Sequence, residues 1–417
     1  MIFNKAEMLI PNKNIDMTKW SVVACDQYTS EPGYWSAVEE TVGNAPSSYN
    51  LVLPEVFLEN SGVDERIKKI NETMNGYLNS GVFEKTPKCY VYVERTLNDG
   101  RVRRGVVGCV DLEDYDYNAG SKSKIRATEK TVVERIPPRL RVRLNASLEL
   151  PHIMLLLDDE KKEIIESLSD RKNDFKKIYD FDLMMSSGHI EGYILSDDAA
   201  KQLETKIASL DNLQEFNRKY GVNEKNPLVF AVGDGNHSLA TAKEYYTGIK
   251  SEIGEEQAKK SPARYALAEL VNLHDDSLVF EAIHRVMFDV DSEKFIKGLK
   301  KLCGRDGRQK FELVTKSGRE ELAFLNPKST ITVGSVQAYI DDYIAKSGGR
   351  VDYIHGEDVV NSLVADGNTG IVLKPMSKED LFKTVIKDGS LPRKTFSMGD
   401  ARDKRFYTEA RVINPAG

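Results

Sequence analysis

The segment 227–246 reads PLVFAVGDGNHSLATAKEYY and carries more information than any other part of the chain. Its first six residues are apolar and predict a buried strand, and its last eight have a helical pattern. Gly233 and Gly235 between them allow a tight turn and the close approach of a ligand to the backbone. A strand, a glycine turn and a helix start present N–H groups and a positive dipole end to an anion. The segment therefore predicts a site for phosphate or carboxylate.

The side chains of this turn are of the kinds that phosphoryl chemistry uses. Asp234 can act as a base or a metal ligand, and His237 titrates near neutrality or donates to a phosphate. Asn236 and Ser238 add an amide and a hydroxyl, and we expect Ser238 to cap the helix, leaving N–H groups of residues 239–241 for an anion. The alternative is a plain capped helix start, in which Asp234 or Ser238 serves only the backbone. Under the first interpretation Asp234 and His237 are catalytic and the other residues of the turn bind the cofactor.

A cluster of cations along residues 126–143 is a second candidate for phosphate binding. Its members are Arg126, Lys130, Arg135, Arg139, Arg141 and Arg143. Two glutamates interrupt the run, which is typical of a solvated surface with ion pairs. Arg126 is the exception, because we predict a helix over 128–134, ended by Pro137 and Pro138, and an arginine at its start is suited to bidentate phosphate binding.

The loop around Arg393 and Lys394 is a third candidate, with hydroxyl residues on either side of Phe396. A basic loop with hydroxyls can bind phosphate, but an ordinary strand edge has the same composition. Both interpretations stay open, and we include Arg393 and Lys394 among the candidate cofactor-binding residues.

The histidines and cysteines do not have the spacing of a zinc site. No histidine pair follows the HxxH or HExxH pattern, and the four cysteines form no CxxC pair. Zinc is therefore not expected, whereas Mg²⁺ held by carboxylates, with Asp234 as the candidate ligand, fits the sequence. We expect the cysteines to be buried thiols in a reducing compartment.

The composition points to an ordinary globular protein with a small-molecule substrate. The 417 residues are 40% hydrophobic and 30% charged, and a chain of this length exceeds one hydrophobic core. The net charge of −6 argues against a nucleic-acid partner, and no apolar stretch approaches the roughly 18 residues of a membrane span. The N-terminus lacks the features of a signal peptide, so we expect a cytoplasmic protein. The oligomeric state is open, with a homodimer as the alternative to a monomer.

The order of predicted elements favours an α+β fold with mixed sheets, hairpins and flanking helices. Asp-Gly at 99–100 joins two β-rich runs and predicts a hairpin over 90–112. Apolar residues at helical spacing predict a helix over 63–78. The apolar run 263–273 fits either a helix or a buried strand, and we favour a strand because the run is short and follows Pro262. Because hairpins occur alongside crossovers, a purely parallel sheet is disfavoured.

Residues 20–25 further predict a short buried strand, and the charged segment 160–179 predicts a helix. We divide the chain into an N-terminal α+β part (1–120), a central part with the Asp234 turn (121–290) and a C-terminal part (291–417).

Five short motifs, in this order along the chain, together resemble the domain-of-unknown-function 1015 family. They are IRATE (125–129), LPHIM (150–154), GDGNHS (233–238), IHR (283–285) and LPRKTFS (391–397). The common form of the family signature is Asp-Gly-His-His-Arg. Here Asn236 replaces the first histidine and Ser238 replaces the arginine, so no arginine side chain is present at that position to clamp a phosphate.

The signature in turn looks like the phosphate-binding turn of the ParB and sulfiredoxin-like superfamily, which includes nucleotide-binding partition proteins and free-serine kinases. This resemblance implies an α+β core whose central part contains a strand-turn-helix that holds a nucleotide phosphate. It implies that Asp234 is the acid or metal ligand and that His237 contacts phosphate.

The leading hypothesis is kinase-like phosphoryl transfer to a small molecule, with ATP or ADP and Mg²⁺. Asp234 would activate the acceptor or bind the metal, His237 and Asn236 would hold phosphate, and Arg126 would neutralise developing charge. One alternative is a nucleotide-sensing, ParB-like regulator, which needs a continuous basic face that the alternating charges of 126–143 do not favour. Another is a metal-assisted phosphoester hydrolase with Asp234 and His237 at its site.

Overall fold

The computed structural model describes residues 1–118, 120–150 and 152–414. The chain divides into two compact units: unit 1 comprises residues 1–127, 131–278 and those from 400 onward, and unit 2 comprises residues 128–130 and 279–399. The chain thus leaves unit 1, builds unit 2 and returns. The boundaries that we placed at 120 and 290 do not coincide with these units, because strands on both sides of position 120 share one sheet.

The strands are numbered in chain order. They are β1 (Phe3–Asn4), β2 (Leu9–Pro11), β3 (Phe83–Lys85), β4 (Val91–Thr96), β5 (Val102–Asp111), β6 (Tyr115–Asp116), β7 (Ile125–Ala127), β8 (Leu148–Glu149), β9 (Met154–Leu157), β10 (Lys176–Asp182), β11 (His189–Ile194), β12 (Phe230–Asp234), β13 (Tyr265–Asn272), β14 (Phe280–Phe288), β15 (Gln309–Thr315), β16 (Gly318–Phe324), β17 (Arg350–His355), β18 (Thr369–Val372), β19 (Phe396–Met398) and β20 (Arg411–Val412).

The α-helices are numbered in the same way. They are α1 (Met17–Trp20), α2 (Pro32–Val42), α3 (Val63–Asn79), α4 (Ile136–Leu144), α5 (Asp197–Leu210), α6 (Leu213–Tyr220), α7 (Asn236–Ile253), α8 (Glu255–Ala258), α9 (Ser292–Lys300), α10 (Thr332–Ser347), α11 (Glu357–Ala365) and α12 (Lys378–Asp388). Among the described residues, none of these helices combines the length and apolar character needed to cross a bilayer.

Unit 1 is built on one large mixed sheet. Its strand order is β10-β11-β4-β5-β13-β9-β12-β7-β6, with β1 paired to β5. Strand β12 runs antiparallel to β9 on one side and parallel to β7 on the other. Hairpins and crossovers occur in the same sheet, so the fold is α+β, as predicted. The structure also confirms the β4–β5 hairpin, helix α3 and strand β13.

Alternate residues of the central strands pack into two hydrophobic cores, one on each face of this sheet. Val91 and Val93 belong to one core, whereas Tyr90 and Tyr92 belong to the other, because neighbouring side chains of a strand point to opposite faces. Leu239 of α7 is buried in the second core, which anchors the helix behind β12. This packing fixes the position of the turn between β12 and α7.

Unit 2 has its own sheet, with antiparallel strand pairs, and its own helices. Its sheet has the order β16-β15-β18-β14-β17, with β19 paired to β14, and carries α9 to α12. A small valine cluster that includes Val286, Val314 and Val360 packs α11 against the sheet.

Three local predictions are wrong. Residues 128–132 are not helical; instead α4 begins at Ile136 with both prolines in its first turn, where a missing N–H does no harm. Residues 20–25 contain the end of α1 and one isolated bridge at Val23 instead of a strand, since Asp16 caps a short helix there. The segment 160–179 forms a 3-10 helix, Glu166–Asp174, and then the start of β10, because burial of its few apolar residues outweighs the helix preference of its charged ones.

Candidate functional site

The turn between β12 and α7 requires glycine at two positions. Gly235 has φ +76°, a left-handed conformation, and a Cβ there would lie 3.0 Å from the Cα of Ile153. A Cβ on Gly233 would lie 2.8 Å from the Cγ of Leu156. Both glycines therefore let the turn pack closely on the neighbouring strand β9 and the residues before it.

The start of α7 has no side-chain cap, so the expectation that Ser238 caps the helix is wrong. Gly235 is the N-cap residue, and no acidic residue lies in the first turn. The Leu239 N–H donates to the Gly235 carbonyl at 3.0 Å, so the N–H groups of His237 and Ser238 precede the first bond of the helix. The Ser238 Oγ lies 3.2 Å from His152 Nε2 instead. The positive end of α7 is thus not neutralised by its own first turn.

Asp234, at the end of β12, has a cation beside it. Its Oδ1 accepts a hydrogen bond from the Gly235 N–H at 2.8 Å, and its Oδ2 lies 3.5 Å from Lys404 Nζ. Both side chains are less than a fifth exposed. Lys404 belongs to the segment that returns to unit 1 after unit 2, so nothing near Asp234 in the sequence pointed to this contact.

His152 forms the centre of a buried polar group close to the turn. Its Nε2 lies 3.5 Å from Asp26 Oδ2, and its Nδ1 lies 2.7 Å from the hydroxyl of Tyr407. That hydroxyl also accepts a hydrogen bond from the Cys25 N–H at 3.1 Å. Asp26 and Tyr407 were not among the predicted site residues. Pro151, which precedes His152 in the LPHIM motif, lies outside the described residues.

Ser238, His152 and Asp26 do not have the arrangement of a hydrolytic triad. In such a triad the acid contacts one imidazole nitrogen and the serine contacts the other. Here Asp26 and Ser238 both face Nε2, and Tyr407 occupies Nδ1. The imidazole therefore has no separate nitrogen with which to take a proton from Ser238.

The surroundings of His152 favour its charged form. Burial alone would lower the pKa of His152, but the carboxylates of Asp26, Asp234 and Glu55 more than compensate and raise it. Burial would likewise raise the pKa of Asp26, but its attraction to His152 keeps that pKa below its usual range. His152 and Asp26, 3.5 Å apart, thus each favour the charged form of the other.

The pKa of His237 is shifted in the opposite direction. Burial, with help from Arg139 and Arg135, lowers the pKa of His237 to about 4. Its Nε2 accepts a hydrogen bond from the Val132 N–H at 3.3 Å, so the proton of the neutral ring is on Nδ1. His237 is thus a neutral N–H donor in the first turn of α7. Two imidazoles whose pKa values are shifted in opposite directions are typical of acid–base chemistry.

A cavity of about 140 Å³ lies beside His152 and Ser238. Most of its walls are apolar. They come from residues 51–58, from Met74 and Val142, and from residues next to strand β8. The apolar lining residues are Leu51, Val52, Leu53, Leu58, Met74, Val142, Ala146, Leu148, Leu150 and Ile153. The polar ones are Cys25, Glu55, Arg139, Arg143, Glu149, His152, Ser238, Thr241 and Tyr407.

Most arginines of the basic run 126–143 are used in ion pairs. Arg139 pairs with Glu55, Arg141 pairs with Asp64, and Arg143 Nη2 lies 2.5 Å from Glu149 Oε2. The ion pairs of this interpretation are present, but the Arg139 and Arg143 pairs are largely buried, whereas the Arg141 pair is at the surface.

Arg126 does not reach the Asp234 turn. It is a residue of strand β7, and its buried guanidinium donates to the carbonyls of Ser123 at 2.8 Å and Asn226 at 3.2 Å, with Glu224 at 4.0 Å. Asn226 and Glu224 precede β12, whereas Asp234 ends it, so Arg126 serves the opposite end of the strand. The prediction failed because the helix expected after Arg126 is absent and the strand directs the side chain elsewhere.

The remaining candidates differ in their settings. Arg393 and Lys394 belong to unit 2, where the Arg393 guanidinium carbon lies 5.7 Å from the centre of the Tyr353 ring. Asn236 is the first residue of α7 and is half-buried. The binding roles of these three residues stay predictions. Within the described residues no group of three histidine, cysteine or acidic side chains is arranged to hold a metal, so Asp234 would contribute a single carboxylate.

Comparison with known proteins gives distant structural similarity and a clear family. No curated protein matches the chain. A free serine kinase in complex with AMP is similar with a TM-score of 0.38 at 10% identity, covering 73% of this chain and 90% of that one. A C-terminally truncated SbnI from Staphylococcus aureus gives 0.36 at 10% identity over 72% and 85%. A conserved hypothetical protein from Pyrococcus furiosus gives 0.35 at 10% identity over 73% and 94%. The family model described as "Protein of unknown function (DUF1015)" matches residues 9–343, and the chain belongs to that family.

Proposed function

We propose that unit 1 transfers a phosphoryl group from a nucleotide to the hydroxyl of a small molecule in the cytoplasm. The observation that carries this proposal is the start of α7, which has no side-chain cap, with the Asp234–Lys404 contact beside it and the Asp26–His152 contact next to Ser238. Charged groups of both signs converge there from distant parts of the chain, as phosphoryl transfer requires.

The phosphate chain would lie at the start of α7. The N–H groups of the first turn and the Nδ1–H of His237 supply neutral donors, and Lys404 supplies a positive charge next to Asp234. His237 is suited to this role because a neutral imidazole can donate to a phosphate without adding a proton to it. The amide of Asn236, in the same turn, is a further contact in this proposal.

The acceptor hydroxyl would lie on the side of His152 and Asp26. Its oxygen forms the new bond to the γ-phosphorus, the bond from that phosphorus to the bridging oxygen breaks, and ADP leaves with the electron pair. The hydroxyl proton passes to the carboxylate of Asp26, which is partly exposed and can release it to water. His152 holds the Asp26 carboxylate in place through the 3.5 Å contact of its Nε2.

A magnesium ion fits the residues present only in part. Mg²⁺ in phosphoryl-transfer sites needs one or two carboxylates, with water and phosphate oxygens completing its shell. Asp234 would hold it, in place of its contact with Lys404. When bound, the ion neutralises charge on the phosphate oxygens.

Calorimetric titration of the full chain with ATP, ADP and AMP, with and without Mg²⁺, tests the binding part of the proposal. We expect saturable binding of at least one nucleotide and at least ten-fold weaker binding by Asp234→Asn. Asp197→Asn is the matched control, since Asp197 is an exposed acid in the first turn of α5. Absence of binding by any of the three nucleotides would overturn the proposal.

Product analysis tests the reaction. Release of ADP that depends on an alcohol, reduced at least 100-fold in Asp26→Asn and unchanged in Asp197→Asn, is the expected result. Nucleotide binding without turnover against a broad panel of alcohols would favour the regulator instead, and release of inorganic phosphate from phosphoesters would favour the hydrolase.

A further inference from the structure

We propose that the phosphoryl acceptor is a small alcohol with a hydrocarbon body, bound in the cavity beside His152 and Ser238. This inference rests on the proposed function, because it assigns the substrate of that same site. The cavity has one wall that can bind a hydroxyl group, and its other walls are apolar or carry charges that are already paired.

The hydroxyl-binding wall is a connected polar group. Ser238 Oγ lies 3.2 Å from His152 Nε2, and His152 Nδ1 lies 2.7 Å from the Tyr407 hydroxyl. These groups line the cavity, and Asp26 lies 3.5 Å from the same His152 nitrogen. A hydroxyl placed against Ser238 is therefore next to the residue that would take its proton. This adjacency links the cavity to the chemistry.

Most of the other polar groups of the lining already have partners, whereas the Nε of Arg143 is buried without a hydrogen-bond partner. Arg143 lies 2.5 Å from Glu149, and Glu149 also accepts hydrogen bonds from Arg411 and from the Leu267 N–H. Glu55 is paired with Arg139. Away from the Arg143 Nε donor, a second or third hydroxyl on the ligand would meet apolar walls, where a polar group without a partner is disfavoured. The cavity should select a monohydric alcohol over a polyol by roughly 10- to 100-fold.

The size of the cavity limits the ligand to a few carbon atoms. Its volume of about 140 Å³ is close to that of the engineered apolar cavity of roughly 150 Å³ known to hold benzene. A body of about six carbon atoms fits such a space. The reaction would then join the alcohol oxygen to the γ-phosphorus, release ADP and pass the alcohol proton to Asp26.

Benzyl alcohol and glycerol are the probes that test this assignment without requiring turnover. Met74 lines the cavity, so its ¹³C-labelled methyl signal, assigned through Met74→Leu, reports occupancy. We expect a saturable shift of this signal with benzyl alcohol and none with glycerol at the same concentration. Equal responses to the two alcohols, or no response to benzyl alcohol, would overturn the inference.

Val142→Phe is the variant that fills the cavity from helix α4. The exposed Leu144 on the same helix gives the control Leu144→Phe. We expect Val142→Phe to abolish the Met74 response and the control to keep it, with circular dichroism confirming that both fold. Ala146→Val, a smaller filling of the same cavity, replaces Val142→Phe should that variant not fold. A full Met74 response in a folded filled variant contradicts the assignment.

Nucleotide titration of the same variants separates the two proposals. Val142 is not part of the first turn of α7, so we expect the affinity of Val142→Phe for ADP to equal that of the unmodified chain. If the unmodified chain binds ADP but shows no Met74 response to benzyl alcohol, the acceptor assignment is wrong and the proposed function is unaffected. Saturable benzyl alcohol binding without any nucleotide binding removes the proposed function, and the acceptor assignment with it.

Discussion

The two ends of strand β12 handle charge in opposite ways. Before the strand, the guanidinium of Arg126 is buried and bound to the Ser123 and Asn226 carbonyls, and Glu224 is close by. After the strand, Asp234 and His237 remain partly exposed, and Asp234 has a hydrogen bond from the Gly235 N–H and a 3.5 Å contact with Lys404. Both ends contain charged residues, but at the first end they hold the chain together, and at the second the proposed function assigns them to ligand binding.

This difference shows that the type of a charged residue says less about its role than the availability of its hydrogen-bonding atoms. Arg126 has the chemistry of a phosphate contact, yet its Nε and Nη2 atoms donate to backbone carbonyls. Lys404 is less suited to bidentate binding, but it faces a carboxylate across a distance that leaves room for exchange of partners. The comparison predicts that stability and ligand affinity depend on different ends of the same strand.

Replacement of Arg126 should have the largest effect on stability. Arg126→Gln loses the charged hydrogen bonds of a buried guanidinium to two carbonyls, and we expect the free energy of unfolding to fall by about 3 kcal/mol. Nucleotide affinity of the folded fraction should not change. Lys404→Gln should do the reverse, with a small loss of stability and at least ten-fold weaker nucleotide binding. Urea unfolding and calorimetric titration of both variants measure the contrast, and a common loss of affinity would contradict it.

Gly235 allows a second, somewhat smaller test at the open end. In Gly235→Ala an alanine has to adopt the left-handed backbone of this position, and its Cβ lies 3.0 Å from the Cα of Ile153. We therefore expect the free energy of unfolding to fall by about 2 kcal/mol. Gly221, at the end of α6, also has a positive φ of +62° but has no atom within 4 Å of such a Cβ. Gly221→Ala should therefore lose only about 1 kcal/mol. Equal thermal shifts of the two variants would mean that crowding at the turn is unimportant.

The sequence predicted the elements that depend on local patterns. The Asp-Gly turn predicted the β4–β5 hairpin, and apolar spacing predicted α3 and the strand-turn-helix of β12 and α7. The prediction failed where one local pattern fits two structures and contacts elsewhere in the chain determine which of them forms. The proline pair at 137–138 was interpreted as the end of a helix, although prolines in the first turn begin α4 equally well.

The candidate site was predicted only in the part that is contiguous in sequence. Asp234 and His237 follow from one motif, but Asp26, His152, Lys404 and Tyr407 come from three distant segments. His152 attracted attention only as a histidine before an apolar strand. Contacts between distant segments depend on strand order and on the return of the chain from unit 2, and no local pattern encodes either.

The pH dependence of stability should show the neutral state of His237. Its folded pKa of about 4 is below the unfolded value, so the folded state binds fewer protons between these values. Stability should therefore fall as the pH drops from about 6.5 towards 4, by about 1 kcal/mol after allowance for solvent screening. His237→Gln should remove this loss, whereas His189→Gln, on the edge hairpin β10–β11, should not. Ring-nitrogen NMR shifts of His237 during the titration check the assignment, and protonation near pH 6.5 would refute it.

Ser238 gives the smallest and most specific test, because it separates a capping role from a site role. Asn212 accepts hydrogen bonds from the Gln214 and Glu215 N–H groups at the start of α6, so Asn212→Ala should cost about 1 kcal/mol. Ser238 lies inside the first turn of α7 and contacts His152 instead, so Ser238→Ala should change stability by less than about 0.5 kcal/mol. Its effect should appear in the cavity, where the Met74 response to benzyl alcohol weakens several-fold. If Ser238→Ala loses as much stability as Asn212→Ala and leaves the Met74 response unchanged, Ser238 acts as a helix cap and not as a site residue.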